Sequence, residues 1–115
     1  MSNPQPPQHL VDAADPRCIQ PDHLHRLAGT GEVHVVDVRE PHEYQAGHVV
    51  GAINHPLSGF DPAKLPHGKP VVLVCGGGGR SLKATQAAHA AGRTDVIHYL
   101  PGTRGWIERG GPIEK

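Results

Sequence analysis

Val71-Val72-Leu73-Val74-Cys75-Gly76-Gly77-Gly78-Gly79-Arg80-Ser81 is the stretch on which the reading of this chain turns. Its four leading apolar residues follow Pro70, form the most hydrophobic run in the protein, and predict a strand buried on both faces. Beyond the glycines, Leu82, Ala84, Ala87, Ala88 and Ala91 predict a helix over 81–91 that Gly92 ends. Cys75 therefore leaves a strand and meets a helix N-terminus, where backbone N–H groups have no helical partner. Those donors, with the positive end of the helix dipole, favour a thiolate over a thiol and would hold an anionic substrate. Four consecutive glycines let the chain turn tightly enough for the N–H groups to converge on one point. We read the loop as a cradle for a sulfur nucleophile.

Outward from this loop, strand patterns alternate with helix patterns. Residues 1–15, with Pro4, Pro6, Pro7 and polar neighbours, read as a flexible lead-in to a domain over 16–115. Arg17-Cys18-Ile19 fits a short edge strand. Pro21 suits the first turn of a helix carrying Leu24, Leu27 and Ala28 on one face. Residues 33–38, Val-His-Val-Val-Asp-Val, form a second buried strand, and residues 41–46 a short helix stopped by Gly47. A short strand over 51–55 and a broken helical turn within 58–65 precede the Cys75 unit. A last strand over 95–100 and a short closing helix around Trp106 and Ile107 follow it. This order predicts an α/β fold, a small five-stranded parallel sheet with helices on both faces and the functional loop at a strand's carboxyl end.

The bulk numbers narrow the functional classes. At 115 residues the chain is one small domain, and with 15 glycines its apolar share is about half, ordinary for a globular protein. Eleven basic and eleven acidic residues cancel, so nothing points to nucleic acid or an anionic membrane as a partner. No run is long enough to span a membrane and the N-terminus lacks a signal-peptide profile, which favours the cytoplasm. Two cysteines, Cys18 and Cys75, are too few for a disulfide framework. The ten histidines show no His-x-x-x-His spacing and there is no Cys-x-x-Cys, so no metal site is expected.

Three blocks together resemble a single-domain rhodanese of the rhodanese-like sulfurtransferase family. They are Asp37-Val38-Arg39-Glu40-Pro41-His42-Glu43-Tyr44 with 47–54 behind it, the Cys-x-x-Gly-x-Arg-Ser loop of 75–81, and Pro101-Gly102-Thr103-Arg104-Gly105-Trp106 followed by 110–113. The similarity covers about residues 17–113. It implies a relay in which Cys75 takes sulfane sulfur from thiosulfate or a persulfide donor and passes it to cyanide, a small thiol or a protein cysteine. Amides of Gly76, Gly77, Gly78, Gly79, Arg80 and Ser81 would bind the substrate, and no metal or organic cofactor is needed. Two alternatives stay open: a sulfur-carrier or regulatory module with little turnover, and phosphatase or arsenate-reductase activity. Family members with the latter chemistry place five residues between Cys and Arg, whereas four intervene here. Many members also carry a basic residue just after the cysteine; its absence argues for a persulfide or protein donor over thiosulfate.

Arg80 either grips substrate or serves the loop through an ion pair with Asp37 or Glu43, and keeps its charge in both roles. Ser81 is expected to cap the helix, its hydroxyl bonding a first-turn N–H or the sulfur. Asp37, Arg39 and Glu43 are candidate rim residues, with Asp37 and Arg39 read chiefly as fasteners of neighbouring loops. His48 reads as structural and Trp106 as a core anchor. Cys18 could resolve a Cys75 persulfide only at a Cα separation near the 5.5–6 Å of a disulfide.

Overall fold

The computed structural model describes residues 5–115; residues 1–4 of the expected lead-in lie outside the described residues. Its strands are β1 (Val11–Asp12), β2 (Asp15–Ile19), β3 (His34–Asp37), β4 (His48–Val49), β5 (Ile53–Asn54), β6 (Val71–Val74), β7 (Val96–His98) and β8 (Ile113–Glu114). The α-helices are α1 (Pro21–Leu27), α2 (Pro41–Ala46), α3 (Gly79–Ala90) and α4 (Gly102–Glu108). Five strands pair in parallel, as the alternating pattern predicts, and the structure orders them β2-β7-β6-β3-β5.

Two additions go beyond that expectation. Strand β1 pairs antiparallel with β2 and makes the sheet six-stranded. It starts inside the stretch read as a flexible lead-in: Leu10 is buried and joins the core, so the folded unit begins before residue 16. Because β1 covers β2, Cys18 is not on a sheet edge either. The second addition is a small antiparallel ribbon, β4 with β8, that brings Val49 beside Ile113. Two residues per strand are too few to leave an alternation in the sequence, which is why this ribbon was not foreseen. Residues 57–59 and 62–64 form only 3₁₀ turns, in keeping with Gly59 and Pro62.

Strand periodicity sorts the core into two layers. Val35, Val72, Val74 and Ile97 join Leu24 of α1, Tyr99 and Trp106 of α4 in one layer. Val36, Val71, Leu73 and Val96 join Ala84 and Ala88 of α3 in the other. Cys75 continues the odd series of β6 and so falls on the α3 face. Small residues at 84 and 88 let α3 lie close to the sheet. Trp106 is fully buried and its indole N–H donates to the Pro112 carbonyl at 2.8 Å, which makes it the anchor expected of it.

Chain order reverses around the middle of the sheet. From β3 the chain moves to β5 on one side, and from β6 to β7 on the other. The carboxyl ends of β3 and β6 therefore diverge, and a crevice opens between the loops that follow them. Those loops carry Asp37 to Glu43 and Cys75 to Ser81.

Candidate functional site

At the end of β6 the glycines fold back over the cysteine. Gly78 adopts φ +97°, a left-handed conformation that caps α3, and the helix begins at Gly79, two residues before the sequence suggests. The Leu82 N–H closes the first turn on the Gly78 carbonyl at 3.1 Å. Ser81 is thereby an interior first-turn residue and not the cap.

This geometry aims amides at one atom. The N–H of Gly78 lies 3.1 Å from Cys75 Sγ, the N–H of Ser81 3.3 Å, and the Ser81 hydroxyl 3.5 Å. Burial by itself would push the Cys75 thiol up. Bonds from the Ser81 hydroxyl and from the Ser81, Gly78 and Gly77 amides outweigh it and leave the thiol below its ordinary value. The residue is only 1% exposed, so the thiol does not stand open at the surface as an exposed nucleophile would. It sits under the loop because the amides that stabilise it must turn inward, leaving Gly77 and Gly79 on the outside.

Helix α4 fixes the other side of the loop. Its Thr103 N–H donates to the Cys75 carbonyl at 2.7 Å and its Arg104 N–H to the Gly76 carbonyl at 3.3 Å. With those carbonyls tied outward, the amides on the same peptide planes face the opposite way. Gly102 permits the approach: it has φ +70°, and a Cβ there would strike the carbonyl oxygens of Gly76 and Cys75. Thr103 and Gly102 thus belong to the site although the sequence marked them only as part of a matching block.

Arg80 does not reach into the loop as a free cation. Its two terminal nitrogens grip the Glu43 carboxylate at 2.7 and 3.1 Å across the crevice. Glu43 Oε1 also accepts the Glu40 N–H at 3.1 Å, closing the first turn of α2. The Arg80 guanidinium is the main reason the Glu43 carboxyl is held down at about 2. Of the roles left open for Arg80, the structure supplies the architectural one.

Asp37 and Arg39 are fasteners, not rim. Asp37 is fully buried and accepts the backbone, Nε and Nη2 of Arg39, whose Nη2 also reaches the Gly47 carbonyl at 2.7 Å. The Asn54 side-chain amide donates to the carbonyls of Asp37 and Arg39 and holds the same loop to β5. His48 stacks on Tyr44 with ring centroids 3.7 Å apart and places Nδ1 2.8 Å from the Tyr44 carbonyl, a structural role as expected. Cys18 faces His98, not Cys75; His98 and Ser81 stand between the two sulfurs.

The chain belongs to the rhodanese-like domain family, whose sequence model matches residues 20–109. The uncharacterized protein slr1261 of Synechocystis sp. is 38% identical over 99 residues, 84% of this chain and 55% of that protein. This chain accordingly spans about half the length of that relative. The human thiosulfate:glutathione sulfurtransferase is 31% identical over 103 residues, 75% of this chain and 89% of that protein. Among solved structures, a rhodanese-related protein of Thermoplasma volcanium matches with a TM-score of 0.75 at 28% identity, covering 85% of this chain and 97% of that one.

Proposed function

We propose that the protein is a sulfurtransferase that works through a persulfide on Cys75. The observation that carries this reading is the convergence of the Gly78 and Ser81 amides and the Ser81 hydroxyl on one sulfur at the end of β6. In the first half-reaction the Cys75 thiolate attacks the outer sulfur of the donor. A Cys75–S bond forms, the donor's S–S bond breaks, and the leaving group (sulfite from thiosulfate, glutathione thiolate from its persulfide) departs with the electron pair. In the second, an acceptor thiolate or cyanide takes the outer sulfur and the Cys75 thiolate returns. The first step needs Cys75 ionised, and the second needs fixed donors for the charge that returns to it. The Gly78 and Ser81 amides and the Ser81 hydroxyl serve both needs.

A persulfide suits this loop better than thiosulfate as donor. A sulfonate asks for a cation, and the loop's single cation, Arg80, has both terminal nitrogens on Glu43. Steady-state turnover with glutathione or cyanide as acceptor tests this. The expected result is a higher kcat/KM with glutathione persulfide than with thiosulfate, and none in Cys75→Ser. Equal or better use of thiosulfate refutes the donor preference, and undiminished transfer by Cys75→Ser refutes the mechanism. The burial of Cys75 lends weight to one alternative, a carrier that holds sulfur and releases it slowly. Persulfide formation without multiple turnovers would establish that reading instead.

A further inference from the structure

Behind the Cys75 loop runs a buried polar chain whose far members, His98 and Cys18, sulfur transfer as described leaves unused. His98 Nδ1 stands 2.9 Å from Ser81 Oγ, and His98 Nε2 3.4 Å from Cys18 Sγ. Ser81 Oγ also lies 3.5 Å from Cys75 Sγ and 3.1 Å from the Gly78 carbonyl oxygen. All four side chains are buried. Register brings them together: Cys18 pairs with His98 across β2 and β7, His98 pairs with Leu73 across β7 and β6, and Cys75 follows two residues on, on the same face.

The Ser81 hydroxyl has one proton and three neighbours that could take it. If His98 Nδ1 were bare, it would draw that proton away from the sulfur. If Nδ1 carries a hydrogen, it donates to Ser81 Oγ and leaves the hydroxyl proton for Cys75 or the Gly78 carbonyl, of which an ionised Cys75 is the stronger acceptor although the carbonyl is nearer. The choice is made at Nε2. Burial pushes the Cys18 thiol up to about 11, so Cys18 keeps an S–H to give. Asp15 also bonds the Cys18 side chain, but Arg17 holds that carboxylate with the backbone N–H and Nε on Oδ1 and Nη2 on Oδ2, so the thiol stands between Asp15 and the His98 ring. Burial likewise lowers His98, keeping the ring neutral. Asp15 and Arg17 are the charged groups facing His98, Asp12 joins them near Cys18, and Arg80 faces Cys75.

We propose that His98 is a positioning residue for Cys75: Cys18 donates to Nε2, the ring proton stays on Nδ1, and the Ser81 hydroxyl proton is thereby aimed at the Cys75 sulfur. This rests on Cys75 being the reactive thiolate. It gives Cys18 a role as donor to a ring in place of a resolving thiol.

The test is the pH profile of Cys75 alkylation by iodoacetamide, resolved by peptide mass so that Cys18 is counted apart. His98→Leu is expected to raise the Cys75 pKa by about one pH unit, with close to tenfold less thiolate below it. His98→Asn, whose amide N–H replaces Nδ1–H, restores the wild-type profile. Cys18→Ala raises the pKa and Cys18→Ser, which keeps a donor, does not. A low wild-type profile unmoved by His98→Leu and Cys18→Ala overturns this inference alone, whereas an ordinary thiol profile in the wild type overturns the Cys75 reading with it. Nitrogen NMR of the His98 ring in the wild-type protein decides the matter without variants. A hydrogen on Nδ1 supports the proposal; one on Nε2 overturns it.

Discussion

Gly78 combines a left-handed φ of +97° with a backbone so close to the Leu100 carbonyl oxygen that a Cβ has no room. Gly77, its neighbour, has open space where a Cβ would stand and no positive φ. Gly78→Ala should therefore disrupt the amide cradle and cost about 1–3 kcal/mol of stability, while Gly77→Ala should fold and load sulfur much like the wild type. Thermal unfolding and sulfur uptake on the two variants check this; equal behaviour would show that no single glycine sets the loop. From the sequence, four glycines in a row announced a tight turn on Cys75, and the cysteine itself was legible from its place between strand and helix. Which glycine takes the left-handed conformation was not, because all four have the same side chain and only the Leu100 carbonyl distinguishes them.

Between elements, the Arg80–Glu43 pair spans the crevice that separates α3 from α2. Glu43 is held at about 2 against an ordinary 4.5, chiefly by the Arg80 hydrogen bonds. A depressed carboxylate contributes stability that is present above about 4.5 and is lost as pH falls through about 2. Glu43→Gln should then destabilise the protein at neutral pH by about 1 kcal/mol, since the pair is partly open to screening by water. The gap to wild type should close as the pH approaches 2. Denaturant melts at pH 7 and pH 3 measure it, and a gap that widens in acid contradicts the assignment. The alternation of strands and helices was readable because β6 and α3 each carry their own apolar period. The β1–β2 and β4–β8 pairings were not, since strands of two to five residues with Pro16, His48 or Glu114 in them leave no such period. The His98–Ser81 contact was equally hidden, because it depends on the register between β7 and β6.

Across the whole molecule, the two ends of the sheet are specialised. At the end opposite Cys75, Arg93 binds Asp95 and the carbonyls of Pro62, Leu65 and Pro66, stapling the 3₁₀ segment under the sheet. Burial alone would raise Asp95, but Arg93 and backbone bonds leave it lowered. Burial also lowers His25 and His98 from their ordinary 6.5. Every one of these groups is harder to protonate folded than unfolded. Stability should thus hold above pH 6.5 and decline as the histidines, then the carboxylates, take up protons in the unfolded state. Scanning calorimetry across pH 4 to 8 should show Tm falling by several degrees at the acid end, and a Tm that rises there contradicts it. At the carboxyl end the proposed chemistry requires one event, the arrival of a second sulfur on Cys75. Peptide mass analysis after brief exposure to glutathione persulfide measures it directly. One added sulfur atom is expected on the Cys75 peptide, removed by cyanide and absent from the Cys75→Ser protein; a Cys75 peptide of unchanged mass would contradict persulfide transfer.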